Sequence, residues 1–463
     1  MKPINKSVFR AYDIRGVVDR DFDPEWVELL GRAVGTWFAQ RGWDRAVVGH
    51  DTRHSSPEYQ RRIAAGLLAC GLDVISVGMV STPVFYYAVK RLGLSAGLVI
   101  TASHNPPEYN GFKVWGGETT IAEDEIQEIY GIMTAGAFVE GRGVASEHDI
   151  VPSYLDELAE QLHVDRPLKV VVDGGNGTSG ELTARLLERG GVDVVRLFCE
   201  PDGDFPNHHP DPVVEKYTGQ LQRAVVEHGA AAGIGLDGDG DRIGVVDETG
   251  RLLYGEHLLA ILARDALRDS PGAGIIGDVK CSHLLFRDIK AHGGRAIMSR
   301  TGHSIIKARM LAENAAIGGE MSGHMFFNDR YLGFDDATYA ALRLVNVMGS
   351  DQYGGRPLSR YLEDWPKTYN TPEIRMECPD AVKFELVERA RAHFAARAGR
   401  EGFSIIDVDG VRLTFADGWA LLRASNTQGA LVMRFEAESA ERLEAVRAFV
   451  ETPLLRWMAE LGV

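Results

Sequence analysis

The stretch AVVGHD at residues 46–51 is a short apolar run that ends in a polar loop. A helical pattern follows over about residues 57–69, with Ile63 and Leu67 on its apolar face, and a second apolar run begins after Gly71. An apolar run, an amphipathic helix and a returning apolar run are typical of a β-α-β crossover between parallel strands. This stretch therefore predicts the α/β fold class.

The same pattern occurs three times along the chain. The second copy has its first strand at residues 169–175 and its helix at 182–188, and the third copy has them at 275–278 and 284–291. In each copy the first strand reaches an aspartate, and a glycine precedes the returning strand. We expect three related α/β domains in series. The alternative is that any α/β protein repeats this pattern by necessity.

The C-terminal part has a different pattern. Strand-like runs at 403–406 and 411–415 flank an Asp-Gly turn, and two more runs follow at 419–423 and 430–435. A helical pattern then extends from residue 439 to about 450, so this part predicts an α+β domain. The predicted domains are 1–149, 150–250, 251–364 and 365–463.

The composition is that of an ordinary globular protein and excludes some classes of function. Of the 463 residues, 45% are hydrophobic and 25% are charged, and the formal net charge is −16. A chain this acidic is a poor nucleic-acid binder, because phosphate backbones need a basic surface. A small anionic substrate is compatible with it, since local basic residues or a metal can reverse the field in one cleft.

The chain has no run that approaches the roughly 18 apolar residues of a membrane-spanning helix, and no apolar segment follows its N-terminus. We therefore expect no signal peptide, no membrane insertion and a cytoplasmic location. The four cysteines are scattered without a CxxC pair, so neither a disulfide framework nor a structural zinc site is indicated.

The loop TASHNP at residues 101–106 follows a strand-like run at 97–100, and the proline that follows it forbids a regular helix. Functional side chains of α/β proteins concentrate in loops that follow a strand. Ser103 is the candidate nucleophile and carrier of a phosphoryl group, with His104 beside it and the ammonium of Lys113 further along. A capped turn is the alternative, because Ser, Asn and Pro are ordinary turn residues.

A second loop, DGDGDR at residues 237–242, alternates carboxylates with glycines. Asp237, Asp239 and Asp241 repel one another unless a cation lies among them, and their hard oxygens favour Mg²⁺ or Ca²⁺. An EF-hand is excluded, because its sixth position must be glycine and is Arg242 here. Two alternatives remain: an aspartyl-phosphate enzyme, in which one carboxylate is the nucleophile, and a solvated acidic turn.

Three further stretches carry polar groups that suit a sugar phosphate. Residues 9–16 contain two arginines and a tyrosine, and residues 318–324, GGEMSGH, offer donors and acceptors for sugar hydroxyls. Residues 423–427, RASNT, combine a guanidinium with three short polar side chains, as in a phosphate cradle. The plain alternative for each is a turn or an exposed charged strand.

Together these stretches resemble the α-D-phosphohexomutases, and most closely the bacterial phosphomannomutase/phosphoglucomutases. The resemblance covers essentially the whole chain and rests on five stretches in order: residues 9–16, 101–106, 237–242, 319–324 and 423–427. It implies four domains around a central cleft, the first three of one topology. It also implies an isomerase, an intramolecular phosphotransferase that interconverts hexose 1-phosphates and hexose 6-phosphates.

The resemblance also implies roles for individual residues. Ser103 is the implied phosphoserine, and a phosphoserine oxygen would join Asp237, Asp239 and Asp241 as a Mg²⁺ ligand. The candidates for acid–base catalysis and charge neutralisation are His104, Lys113, Arg242, His324 and Arg15. The implied substrate contacts are Tyr12, Arg15, Lys280, His303, Glu320, Met321, Ser322, Gly323, His324, Arg423, Ala424, Ser425, Asn426 and Thr427.

The implied cofactors are Mg²⁺ and a hexose 1,6-bisphosphate, such as glucose 1,6-bisphosphate, which serves as intermediate and activator. We expect small sugar phosphates as partners and a monomer or weak homo-oligomer. One alternative is a phosphoglucosamine mutase, in which glutamine would be expected in place of Met321. The others are a metal-dependent sugar phosphatase and a catalytically silent sugar-phosphate sensor.

Overall fold

The computed structural model describes residues 2–425 and 429–463, which form four β-sheets with helices packed against them. The first sheet and its helices are β1 (Ile14–Val17), α1 (Pro24–Ala39), β2 (Arg45–His50), α2 (Ser56–Ala69), β3 (Asp73–Met79), α3 (Thr82–Arg91), β4 (Ala96–Ile100), β5 (Tyr109–Gly116), β6 (Thr119–Thr120), α4 (Asp124–Ala135) and β7 (Ala145–Glu147). The second set is α5 (Val151–Ala159), β8 (Lys169–Asp173), α6 (Gly180–Arg189), β9 (Asp193–Leu197), α7 (Glu215–Glu227), β10 (Ala232–Leu236), β11 (Ile243–Asp247) and β12 (Leu252–Leu253).

The third and fourth sheets follow in the same way. The third set is α8 (Gly255–Asp269), β13 (Gly274–Asp278), α9 (His283–Ala291), β14 (Arg295–Ser299), α10 (His303–Glu313), β15 (Ala315–Gly319), β16 (Met325–Phe327) and α11 (Ala337–Gly349). The fourth set is β17 (Tyr369–Asn370), β18 (Ile374–Glu377), α12 (Asp380–Ala395), β19 (Phe403–Ile406), β20 (Val411–Phe415), β21 (Gly418–Ala424), β22 (Ala430–Ala437) and α13 (Ala440–Leu461).

The first three sheets share one four-strand core. In each core a first strand pairs in parallel with a second and a third, and a fourth strand pairs antiparallel with the third. Parallel pairs need a crossover connection, which α2, α6 and α9 supply between the first and second strands. The predicted α/β fold with three related units is confirmed. In chain order, the cores are β2-β3-β4-β5, β8-β9-β10-β11 and β13-β14-β15-β16.

The fourth sheet is antiparallel and contains the predicted hairpin of β19 and β20. Its last helix, α13, was expected to end near residue 450, and that expectation was wrong, because the helix runs to Leu461 past Pro453. The buried face of α13 continues through Leu454 and Trp457. Burying each of these side chains stabilises the helix by about 2 kcal/mol, and their sum of about 4 kcal/mol outweighs the roughly 3 kcal/mol cost of an interior proline.

The hydrophobic core is continuous between the second and third sheets and reaches helix α3 beside the first sheet. The fourth sheet has a separate core beneath α12 and α13. No helix within the described residues is both long enough and apolar enough to cross a membrane. The predicted domain boundaries remain predictions. Strand β12 lies just after the predicted boundary at residue 250, and it pairs with β11 of the second sheet.

Candidate active site

Three of the polar loops lie at the same place in the three repeated cores. Residues 101–108 connect β4 to β5, residues 237–242 connect β10 to β11, and residues 320–324 connect β15 to β16. Each loop therefore follows the carboxyl end of the third parallel strand, the edge at which α/β sheets bind ligands. The repeated topology supplies three equivalent loops, and each loop carries different chemical groups.

Side-chain contacts join these three loops into one site. The Ser103 hydroxyl of the first loop donates a 2.7 Å hydrogen bond to Asp237 Oδ2 of the second loop. Arg242 Nε, at the end of the second loop, donates a 2.9 Å hydrogen bond to His324 Nε2 of the third. Residues separated by more than a hundred positions in sequence thus meet within one hydrogen-bonded cluster.

Ser103 is held in an unusual backbone conformation. Its φ angle is +51°, in the left-handed region that side chains other than those of Gly, Asn and Asp rarely adopt. Its backbone N–H donates to Thr101 Oγ1 at 2.9 Å, and its side chain is buried. Such a conformation persists only where the surroundings enforce it, as they often do at functional sites.

Arg53 is the side chain that enforces this loop shape. Its guanidinium donates hydrogen bonds of 2.6–2.9 Å to the carbonyl oxygens of residues 103, 105, 106 and 109. Its Nε donates to Asp51 Oδ2 at 3.1 Å, and both side chains are almost fully buried. Sequence reasoning missed Arg53; the available signal was an arginine two residues after the aspartate that ends the first repeated strand.

The acidic loop forms a buried carboxylate cluster. Asp237, Asp239 and Asp241 each place an oxygen within 4.8 Å of the others. Burial and the two neighbouring carboxylates raise the pKa of Asp237 well above its ordinary value. Lys113 Nζ bridges Asp239 Oδ2 at 2.8 Å and Asp241 Oδ2 at 2.5 Å. Burial opposes its charge, but these two carboxylates outweigh burial and raise the pKa of Lys113 well above its ordinary value.

This cluster can hold a metal ion. Within the described residues, Asp239 Oδ1 and Asp241 Oδ1 are buried without a hydrogen-bond partner. Orphaned buried carboxylate oxygens are costly, and a hard cation would satisfy them. The donor set consists of carboxylates with the Ser103 hydroxyl beside them, and such oxygen donors suit a divalent cation better than a soft metal.

Three histidines lie close to this cluster. His104 Nδ1 is 3.0 Å from Ser103 Oγ, and burial, with the nearby guanidinium of Arg242, lowers the pKa of His104 well below its ordinary value. The rings of His303 and His324 are stacked with centroids 5.7 Å apart. Burial and the ammonium of Lys307 lower the pKa of His303. Neutral imidazoles can accept or donate a proton, so the site has several candidates for that role.

The predicted sugar-binding loop and the N-terminal stretch meet near residue 301. The buried Glu320 accepts a 2.8 Å hydrogen bond from the Gly302 N–H, and Tyr12 donates to the Thr301 carbonyl oxygen at 3.0 Å. Met321 and Ser322 lie half-buried in a turn, and Gly323 follows with a φ of +90°. Burial raises the pKa of Glu320.

Two predicted basic residues from different parts of the chain also face this region. Arg15 donates to Asn105 Oδ1 of the serine loop at 2.6 Å. Lys280, just after β13, forms an ion pair with Glu373 of the C-terminal part at 3.1 Å. The carboxylates of Glu373 and Asp278 outweigh burial and raise the pKa of Lys280. Lys280 therefore stays charged, and both basic side chains are placed to attract an anion.

The fourth sheet contributes Arg423 at the end of β21. Its Nε donates to Asp409 Oδ2 at 2.9 Å, and the same oxygen accepts the Thr301 N–H at 3.1 Å. Ala424 is buried, and the Ser425 carbonyl accepts a 2.6 Å hydrogen bond from Lys383. The chain of contacts from Tyr12 through Thr301 to Arg423 therefore links the first, third and fourth sheets. Two predicted residues, Asn426 and Thr427, lie outside the described residues.

The sequence matches one family along nearly its whole length. Profiles described as phosphoglucomutase/phosphomannomutase, alpha/beta/alpha domains I, II and III, match residues 6–140, 152–250 and 254–369. The profile of the C-terminal domain matches residues 373–460. The chain belongs to the phosphoglucomutase/phosphomannomutase family. The resemblance inferred from its five stretches is confirmed.

Members of this family resemble the chain in sequence and in structure. The phosphomannomutase/phosphoglucomutase of Pseudomonas aeruginosa is 42% identical over 448 residues, which cover 97% of this chain and 95% of that protein. The phosphoglucomutase of Neisseria gonorrhoeae is 40% identical, covering 99% of this chain and all of its own length. A crystal structure of a phosphoglucomutase/phosphomannomutase family protein from Burkholderia thailandensis has a TM-score of 0.91 at 38% identity, with 98% of each chain covered.

Proposed function

We propose that this member of the phosphoglucomutase/phosphomannomutase family interconverts the 1-phosphates and 6-phosphates of glucose and mannose. The observation that carries the proposal is the 2.7 Å hydrogen bond from the Ser103 hydroxyl to Asp237 within the acidic cluster. A hydroxyl among cation-binding groups is well placed to store a phosphoryl group, because phosphoryl transfer depends mainly on positioning and charge neutralisation.

The reaction starts from an enzyme whose Ser103 carries a phosphoryl group. The free hydroxyl of a bound hexose phosphate attacks that phosphorus, its proton passes to a base, and the bond from phosphorus to Ser103 Oγ breaks with its electron pair on oxygen. The resulting hexose 1,6-bisphosphate turns end for end, and its other phosphoryl group returns to Ser103. Added glucose 1,6-bisphosphate activates the enzyme by restoring a phosphoserine that has been lost.

Positive charge surrounds the position of the transferring group. Asp237, Asp239 and Asp241, with a phosphoryl oxygen on Ser103, would hold Mg²⁺, which when bound supplies charge stabilisation to the phosphoryl group. The protein adds the half-buried guanidinium of Arg242 to the same region. Lys113 holds Asp239 and Asp241 in place, and Arg15 orients the serine loop through Asn105.

His324 is the group that we infer to exchange a proton with the sugar hydroxyl. Lys113 is fixed as an ammonium between two carboxylates, so it offers no electron pair. His104 lies against Ser103 Oγ, on the leaving-group side of the transfer. His324 lies across the cluster and contacts Arg242 through Nε2. A positioned imidazole of this kind typically contributes about 10²–10⁴-fold to a rate.

The substrate specificity of the enzyme follows from which sugar atoms its side chains bind. Glu320 and Ser322 are assigned to O3 and O4, which glucose and mannose present alike, since these sugars differ at C2. Arg423 and Ser425 are assigned to the phosphate that is not being transferred, because a guanidinium and short donors can bind it in either orientation. The further proposed contacts are Tyr12, Lys280, His303, Met321, Gly323, Ala424, Asn426 and Thr427.

The proposal is tested by incubating the protein separately with glucose 1-phosphate, mannose 1-phosphate and glucosamine 1-phosphate, with Mg²⁺ and trace glucose 1,6-bisphosphate. Phosphorus NMR should show the 6-phosphates of glucose and mannose with comparable specificity constants. Inorganic phosphate as the product would identify a phosphatase, and conversion of glucosamine 1-phosphate alone would identify that mutase. Intact mass should show an adduct of about 80 Da, one phosphoryl group, that Ser103→Ala abolishes. An S103A protein with wild-type activity would refute the role of Ser103.

A further inference from the structure

A buried ion pair lies behind His324, on the side away from Arg242. Asp335, which follows β16, places Oδ2 2.8 Å from His324 Nδ1 and accepts a 3.0 Å hydrogen bond from Lys307 Nζ at Oδ1. The side chains of Asp335 and Lys307 are 0% and 2% exposed. Neither residue belongs to the five stretches that identified the family.

The neighbours of His324 define which of its nitrogens carries the proton. Asp335 is an acceptor, so Nδ1 must donate to it, and Asp241 Oδ1 lies 3.6 Å from the same nitrogen. The Arg242 guanidinium is a donor only, so Nε2 must accept from it. The ring therefore has its hydrogen on Nδ1 and its free electron pair on Nε2. This is the tautomer that a proton acceptor at Nε2 requires.

We propose that Asp335, held by Lys307, is a positioning residue that fixes the Nδ1–H tautomer and the ring orientation of His324. The inference rests on the proposed function, in which Nε2 of His324 accepts the proton of the attacking sugar hydroxyl. When the substrate phosphate draws the Arg242 guanidinium away, Nε2 becomes available, and Asp335 keeps the ring from turning or exchanging tautomers. The proton moves from the hydroxyl oxygen to Nε2, and Asp335 itself gains and loses none.

Lys307 keeps the carboxylate in its acceptor form. Its ammonium lies 4.4 Å from the centre of the Tyr86 ring and 3.3 Å from His303 Nδ1, so it too is packed on several sides. Burial opposes the charge of Asp335, but Lys307 and the hydrogen bond with His324 outweigh it and lower the pKa of Asp335 well below its ordinary value. An ionised carboxylate accepts hydrogen bonds at both oxygens and cannot present a hydrogen to Nδ1.

The chain offers a matched control in the next residue. Asp336 is as fully buried as Asp335, but it caps helix α11 and accepts hydrogen bonds from the hydroxyls of Tyr154 and Tyr331. In Asp335→Asn, Lys307 still needs an acceptor, so the amide turns its NH₂ group toward His324 and forces the hydrogen onto Nε2. In Asp336→Asn the surroundings of His324 are unchanged.

The first measurement compares the kinetics of the two variants in the full-length enzyme with its phosphoserine restored. For D335N we expect kcat to fall by about 10²-fold or more while KM changes by less than about threefold, because a positioned proton acceptor is lost and substrate contacts are kept. D336N should keep kcat within about threefold of wild type. A D335N enzyme with wild-type kcat, or a D336N enzyme with an equal loss, would overturn the proposal.

The second measurement is the tautomer itself, read from nitrogen NMR of protein with ¹⁵N-labelled histidine and assigned by the signal missing in His324→Gln. Wild-type His324 should carry its hydrogen on Nδ1, and D335N should shift it to Nε2. Wild-type protein with the hydrogen on Nε2 contradicts the proposal even if D335N does not fold. An unchanged tautomer in an inactive D335N enzyme would show that Asp335 has only a structural role. A wild-type protein without mutase activity would instead refute the proposed function and leave the tautomer result standing.

Discussion

Replacing Arg53 by methionine should disturb the conformation of the serine loop while leaving the Ser103 side chain itself unchanged. The guanidinium group donates to three carbonyl oxygens of the serine loop, to the carbonyl of Tyr109 at the start of β5 and to Asp51, and methionine keeps the approximate length of arginine without any donor. Breaking a buried charged pair costs about 3–5 kcal/mol of unfolding free energy. The four carbonyls lose their partner as well, so we expect a loss at the upper end of this range.

The effect of the same change on catalysis follows from the position of Ser103. With its left-handed backbone no longer enforced, the loop relaxes and moves Ser103 Oγ away from Asp237. A displacement of about 1 Å at a reacting atom costs about 10²-fold in rate, so kcat of Arg53→Met should fall by that factor. Arg53→Lys keeps the charge but cannot reach four carbonyls from one nitrogen. Its kcat should therefore lie between those of the wild type and Arg53→Met.

Urea unfolding and steady-state kinetics on the folded protein measure the two effects. The control is Arg61→Met, which removes a surface arginine on helix α2 whose side chain is 73% exposed, and which should change stability by less than about 0.5 kcal/mol. An Arg53→Met enzyme that is destabilised but keeps wild-type kcat would show that Arg53 supports the fold and does not position Ser103.

Two further predictions concern the metal cluster and a histidine in the second domain. Asp237→Asn should change the stability of the metal-free protein by less than about 1 kcal/mol, because the amide oxygen can still accept the backbone N–H groups of Asp241 and Arg242 and one of three clustered carboxylates is removed. The same variant should lose the rise in melting temperature that Mg²⁺ gives the wild type, and an equal rise in both proteins would exclude Asp237 as a ligand. Burial lowers the pKa of His208, but the Asp173 carboxylate outweighs burial and raises this pKa above 6.5. The ion pair therefore stabilises the folded protein fully below pH 6.5, and this stabilisation is lost as the pH rises through the pKa of His208 in the folded protein. Between about pH 6 and pH 8 the wild type should therefore lose more unfolding free energy than His208→Asn, and parallel pH profiles would contradict this.

Much of the fold and several candidate site residues could be predicted from the sequence, because the patterns that indicate them involve residues close together in the chain. Apolar runs that end in aspartate, each followed by an amphipathic helix, identified the three repeated units. Carboxylates at alternate positions predicted a cation site, since their mutual repulsion depends only on being neighbours in the chain. The helix end at Leu461 was missed, because its apolar face continues past a proline whose cost only burial can offset.

Other features exist only in the folded chain. The three loops share one edge because each follows the third parallel strand of its core, a relation that depends on strand pairing and not on composition. Lys307 and Asp335 carry no local pattern, and the position of Arg53 after Asp51 does not reveal which groups it contacts. Each of these contacts exists only because folding brings its two partners within hydrogen-bonding distance. The sequence by itself determined which chemical groups the protein carries. Tertiary structure alone decided which of them face one another, because hydrogen bonds and ion pairs act over a few ångströms, while residues that they join, such as Ser103 and Asp237, can be more than a hundred positions apart in the chain.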